Sequence, residues 1–157
     1  MSKIKMVVVG KTKAPFLADG ESFYRKRVRR YVSMEWIEVK PSHIKKGRTR
    51  KAILATEGER IKKQLNQRDH VIALDTGGKT YSSLALARRI DILTATRERL
   101  CFIVGGALGL CEAVLDTTAD ETLSLSRLTL THEMSRMILL EQIYRAFTIL
   151  RGEKYHK

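Results

Sequence analysis

The sequence predicts an α/β fold, a mostly parallel β-sheet with helices on both faces, and three observations carry that expectation. Short runs rich in β-branched and apolar residues alternate with segments of helical hydrophobic period from one end of the chain to the other. One such run, Leu100-Cys101-Phe102-Ile103-Val104, is apolar throughout, as expected of a strand covered on both faces. The runs stop at glycine, at Gly10, Gly77-Gly78 and Gly105-Gly106.

The elements follow in order. Lys3–Val9 reads as the first strand. Residues 16–31 read as a helix that is very basic on one side, with Arg25, Lys26, Arg27, Arg29 and Arg30. Ser33–Val39 alternates apolar and polar positions and is a second strand. Residues 41–50 form a polar loop carrying Lys45, Lys46, Arg48 and Arg50, and residues 51–65 a helix. A short buried strand at 70–74 ends in Asp75-Thr76-Gly77-Gly78, and a helix capped by Ser82 or Ser83 runs to about Thr96. After the strand at 100–104 come a short helix at 111–118, a strand-like stretch at 122–125 and a long helix at 131–151. Thr131 is its expected cap, and Glu133 lies in its first turn. No internal repeat or linker divides the chain, so 1–157 reads as one domain.

Composition bounds the function. The chain has 157 residues, 43% hydrophobic and 30% charged, a globular balance. No run reaches the roughly 18 apolar residues of a membrane helix, and the opening residues lack a leader pattern, so no membrane and a cytoplasmic location are expected. Cys101 and Cys111 read as buried or half-buried thiols with no partner at metal-ligand spacing. The formal net charge is +13, and fifteen Lys or Arg against four Glu fall between Arg25 and Arg68. Such a field attracts polyanions, and on one compact domain nucleic acid is the favoured partner.

Two glycine motifs need weighing. Gly77-Gly78-Lys79-Thr80 imitates the end of a phosphate-binding loop, but Ala73 stands where that loop requires glycine. This excludes a nucleotide hydrolase, and a turn between strand and helix accounts for the segment. Gly105-Gly106-Ala107-Leu108-Gly109 has the wrong spacing for a dinucleotide fingerprint. It fits either a tight strand-to-helix turn or a close backbone approach to a ligand. Leu123-Ser124-Leu125-Ser126-Arg127-Leu128-Thr129-Leu130 is either a strand leading to the last helix or a segment offering free hydroxyls and backbone groups beside the glycine loop. His132 and Arg136 share one face of that helix. The helix is apolar on more sides than one sheet face can cover, which suggests a subunit interface.

In order, these motifs are Gly105-Gly106-x-x-Gly109-Leu110, then Leu125-Ser126-Arg127-Leu128-Thr129-Leu130-x-His132-x-Met134-x-Arg136, then Leu140-Glu141-Gln142-x-Tyr144-Arg145-Ala146, and finally Arg151-Gly152-x-x-Tyr155-His156-Lys157. Together they resemble the minimal SPOUT class of RNA methyltransferases, the family that methylates N(3) of a pseudouridine in large-subunit (23S) ribosomal RNA. The resemblance covers the whole chain and is densest in its last third. It implies a C-terminal trefoil knot over roughly residues 70–157, and a homodimer whose last helices pack together. It also implies a substrate base in the assembled ribosome. S-adenosyl-L-methionine is the implied cofactor, held at Leu74, Gly105 and the segment Leu125, Ser126, Arg127, Leu128, Thr129 and Leu130. The family often ends in Tyr-His-Arg where this chain has Tyr155-His156-Lys157; lysine keeps the charge and loses the planar fork.

The expected chemistry is methyl transfer to a weakly acidic imide nitrogen, with His132, Tyr155 and His156 lining the base pocket and Arg136 and Lys157 holding phosphate or base oxygens. The competing reading is a non-catalytic RNA-binding or ribosome-associated factor that keeps this fold. The intact glycine loop and terminal Tyr155-His156 weigh against it.

Overall fold

The computed structural model describes residues 3–96 and 99–157. Met1 and Ser2, part of the opening read above for a leader, lie outside them. Five strands form one all-parallel sheet: β1 (Lys3–Val9), β2 (Ser33–Val39), β3 (Asp69–Lys79), β4 (Arg99–Val104) and β5 (Glu121–Leu123), in the order β2-β1-β4-β3-β5. The helices are α1 (Pro15–Val28), α2 (Arg50–Lys62), α3 (Ser83–Thr96) and α4 (His132–Leu150), with one wide π-helical turn at Val114–Thr118.

Strand alternation builds two cores. Ile4, Met6 and Val8 of β1 and Leu100, Phe102 and Val104 of β4 face α1, α3 and α4, together with Leu139, Leu140 and Ile143. The residues between them, Val7, Val9, Cys101 and Ile103, face the opposite layer with Ile61 of α2 and Val114. β4 is therefore covered on both sides, and burial pushes the Cys101 thiol pKa up to about 12. Cys111 is half-buried. At the amino end of the sheet, Lys5 and Asp69 form a buried ion pair at 2.6 Å. The layers are as the sequence predicts.

Two local expectations change. β3 does not stop at Asp75 but continues to Lys79, with an irregularity after Leu74. The reason is contact with β5. A Cβ on Gly78 would lie 2.7 Å from the Leu123 nitrogen, so only glycine lets these backbones meet, and Lys79 accepts the Ser124 N–H at 2.9 Å. The strand expected over residues 122–125 starts one residue earlier and ends sooner, at Glu121–Leu123, and a loop carries the chain from there to α4.

Candidate functional site

Parallel strands deliver their carboxyl ends to one edge, where ligands of open α/β sheets bind. There the segments following β4 and β5, the middle of β3 and the start of α4 enclose a cleft of about 1010 Å³, at the upper end for a small-molecule site. Leu74, Asp75 and Thr76 form one wall, the glycine loop 105–110 another, and Leu125, Ser126, Leu128, Thr129 and Leu130 a third. His132, Glu133, Phe16 and Arg50 complete it.

The glycine loop folds back on itself. Gly109 donates to the Gly106 carbonyl at 3.0 Å and adopts φ +83°, which favours glycine. A Cβ on Gly105 would stand 2.4 Å from the Gly109 oxygen, so the turn alone demands glycine there. A Cβ on Gly109 meets nothing within 4 Å. From the first turn of α2, Arg50 donates to the Leu108 carbonyl at 2.9 Å and ties the loop in place.

The segment after β5 is shaped by its serines. Ser124 Oγ donates to the Ser126 carbonyl at 2.9 Å, and Ser126 Oγ accepts the Leu128 N–H at 3.0 Å. These hydroxyls, expected to be free, fold the loop instead. Arg127 is exposed and does not line the cleft, although the residues on either side of it do.

At the start of α4, Thr131 Oγ1 accepts the Met134 N–H at 3.2 Å, the expected cap. Glu133 does more than complement the helix dipole. Its carboxylate accepts the N–H groups of Lys13 and Ala14 at 2.6 and 3.0 Å, capping α1, whose own Ala14 cannot. These backbone bonds hold the Glu133 pKa below the usual carboxylate range. His132 is half-buried; desolvation first, then the charge of Arg136, lowers its pKa and favours neutral imidazole.

Arg136 is placed otherwise than expected. It is fully buried and lies outside the cleft wall. Its guanidinium donates to the carbonyls of Val9 and Gly10 at 2.5 and 2.9 Å and to Thr12 Oγ1 at 3.0 Å, and the Thr12 hydroxyl donates in turn to Glu21 Oε2 at 2.6 Å. With these donors spent on the end of β1, Arg136 is a buried strut rather than a hand for phosphate.

The tail is ordered onto α4. Tyr155 donates to Glu141 Oε1 at 3.0 Å and packs edge-on against Tyr144, and His156 Nδ1 lies 3.3 Å from Arg145. Neither Tyr155, His156 nor Lys157 lines the chain's own cleft. Arg145 stands ten positions beyond Ser135, the last cleft residue of α4, roughly 15 Å along the helix.

On the basic half, Arg25 stacks on Trp36 at 4.7 Å and Arg27 on Phe23 at 3.5 Å, while Arg29, Arg30, Lys45 and Lys46 are exposed. Among the cleft residues that sequence reasoning did not assign to a site are Ala14, Phe16, Leu17 and Arg50. They join it only through tertiary contacts, apart from one weak signal, an aromatic directly after a helix-starting proline.

Comparison with known proteins places the chain in a family. A family model described as "Predicted SPOUT methyltransferase" matches residues 2–156. The chain is 43% identical to the "Ribosomal RNA large subunit methyltransferase H" of Bacillus pumilus (strain SAFR-032), over 98% of this chain and 99% of that protein. It is 44% identical to the protein so named in Symbiobacterium thermophilum, over 99% of each. Among solved structures, a "probable methylase family protein" from Haemophilus influenzae Rd KW20 superposes with a TM-score of 0.57 at 14% identity, covering 98% of this chain and 70% of that one. That last likeness concerns the fold alone.

Proposed function

The chain belongs to the SPOUT methyltransferase family, and from that premise we propose that it is a ribosomal RNA methyltransferase that moves a methyl group from S-adenosylmethionine to N(3) of a pseudouridine in large-subunit rRNA of the assembled ribosome. Membership also implies the C-terminal trefoil knot. The observation that carries the reading is the cleft. Its three walls contain the segments at which the resemblance would hold the cofactor, and half-buried His132 lines it as well.

The cleft suits the cofactor. Its size admits a nucleoside joined to an amino acid, and Gly109 opens onto free space. Leu74, Gly105, Leu125, Ser126, Leu128, Thr129 and Leu130 would hold it, the glycine loop kept in shape by Arg50. When bound, S-adenosylmethionine would supply a methyl group activated on a sulfonium, with a thioether as the leaving group. The chain's own task is placement and removal of the imide proton. Half-buried His132, its pKa lowered by desolvation and by the charge of Arg136 one turn further along α4, is suited to accept that proton.

Tyr155, His156 and Lys157 enter as a contribution from a second copy. Within one chain they sit along α4 away from the cleft, whereas two copies packed antiparallel through α4 would bring each tail to the other's cleft. The half-buried Met134, Met137 and Ile138 on this helix are consistent with such a homodimer. The exposed Arg29, Arg30, Lys45 and Lys46 would meet rRNA phosphates.

The test is methyl transfer from labelled cofactor to intact ribosomes, separated subunits and naked rRNA, with the modified nucleoside identified after digestion. Labelled N(3)-methylpseudouridine from intact ribosomes supports the reading. RNA binding without transfer on any of the three substrates would leave the non-catalytic factor.

A further inference from the structure

We propose that Phe16 is the platform on which an unpaired nucleobase of the RNA substrate stacks as it enters the cleft. The inference rests on the rRNA-methyltransferase reading and adds a substrate-binding residue to it. Phe16 is 66% exposed, although covering such a ring would normally be favourable by about 1.5–3 kcal/mol. It is nevertheless part of the cleft wall, on the same rim as His132. Leu128, 74% exposed, lines the cleft as well, so two uncovered apolar side chains belong to one opening.

The ring is held in place. Pro15 fixes the start of α1, and Glu133 grips the N–H groups of Lys13 and Ala14 just before it. Glu133 follows His132 directly, so the aromatic and the proton acceptor are tied together through two hydrogen bonds. Phe23, one face-repeat further along α1, already carries the Arg27 guanidinium on its ring; among the described residues no cation or aromatic covers Phe16. Lys11 and Lys13, both exposed, flank the approach with positive charge. An apolar face with phosphate-seeking charges beside it is the chemistry that receives an unpaired nucleotide.

The experiment uses the full chain in two arms. In the first, Phe16→Leu and Phe16→Tyr are assayed on ribosomes, with cofactor affinity by calorimetry and mass by sedimentation. Leucine keeps apolar bulk and loses the ring. It should lower kcat/KM by about 5- to 100-fold, the scale of one base stack, while tyrosine restores it and neither affinity nor mass changes. In the second arm, Phe16→Trp is placed in a Trp36→Phe background and titrated with a single-stranded oligoribonucleotide. Quenching of the indole that duplex RNA does not produce supports stacking without requiring turnover. Wild-type kcat/KM in Phe16→Leu, dissociation of that variant into monomers, or absence of quenching would each overturn the proposal. If wild-type protein transfers no methyl to ribosomes yet the indole is quenched, the methyltransferase reading fails and the stacking platform stands.

Discussion

Arg136 lies one helical turn behind His132, fully buried, and its charge adds to the desolvation that lowers the pKa of that imidazole. A base with a lowered pKa keeps its lone pair through neutrality. Methyl transfer should therefore stay flat from about pH 8 down to the usual imidazole value near 6.5 and fall only below it. Stability moves in the same direction. With the folded pKa below the unfolded one, the unfolded chain takes the proton first, so this group's contribution is lost as pH drops through about 6.5 and levels off below the folded value. A pH–rate profile checks the first statement. His132→Ala should lower kcat by roughly 100-fold or more and erase the acid limb; an unchanged profile would exclude His132 as the base.

Replacing Arg136 should affect folding before chemistry. Arg136→Met removes the donors on the Val9 and Gly10 carbonyls and leaves Glu21, itself buried, with only the more distant Arg25 guanidinium at 4.0 Å for a partner cation. Breaking a buried charged network in this way costs about 3–5 kcal/mol. Urea unfolding should show the free energy of unfolding falling by that amount, with the midpoint moving to lower urea. In the folded fraction, the NMR titration of His132 should move up toward the ordinary imidazole value. A variant as stable as wild type would show that the guanidinium is not a strut.

The two glycines of the loop after β4 should respond differently to alanine. At Gly105 the new methyl meets the Gly109 carbonyl at 2.4 Å, the loop must shift, and cofactor affinity should fall at least tenfold by calorimetry. At Gly109 there is open space, and the penalty is the left-handed backbone, about 1–2 kcal/mol of stability. Affinity there should remain within a few-fold of wild type. Equal losses at both positions would mean that the wall is read by the ligand differently from what its packing suggests.

Salt should weaken substrate binding. Each of Arg29, Arg30, Lys45 and Lys46 that meets a phosphate adds about one to the slope of log affinity against log salt. Single alanine variants should lower that slope one contact at a time and leave cofactor affinity unchanged. A flat salt response in the wild type would make this face a solvated surface only.

The layered sheet was legible because strand and helix periods differ so sharply. Ile4, Met6 and Val8 face one layer and Val7 and Val9 the other, as period two requires. The resemblance named Leu74, Gly105 and 125–130, and the structure brings those segments to one cleft; the glycines and serines alone did not say so, since the turn itself demands Gly105 and the serine hydroxyls fold their own loop. Long-range polar bonds were not. Nothing local to Glu133 says that it caps a helix about 120 residues earlier in the chain, and nothing local to Arg136 says that β1 ends against its guanidinium. Spacing correctly put His132 and Arg136 on one side of α4 but could not tell the cleft from the core. The continuation of β3 through Gly77-Gly78 was hidden for the same reason, because the need for glycine at Gly78 arises from β5 and not from its neighbours.

Whether the tail of one chain serves the cleft of another is decided by the most discriminating experiment. In each chain Tyr155 rests on Glu141 and Tyr144, along α4 from the cleft, so a tail that acts in catalysis must act in the partner. Removing Tyr155, His156 and Lys157 should leave cofactor binding and dimerisation intact and lower methyl transfer by two orders of magnitude or more, the scale of one positioned acid–base group. His132→Ala should be as inactive. Mixed dimers carrying one truncated subunit and one His132→Ala subunit then decide the geometry. If the tail crosses over, the truncated subunit's intact cleft receives the tail of its neighbour, and one of the two sites in every mixed dimer is complete. Re-equilibrating equal amounts of the two inactive variants would make about half of all dimers mixed and restore roughly a quarter of wild-type activity. If the tail instead served its own chain, neither cleft of a mixed dimer would be whole, and mixing would restore nothing. A truncated enzyme that methylates at the wild-type rate by itself would remove the tail from the mechanism and leave His132 as the proton acceptor alone.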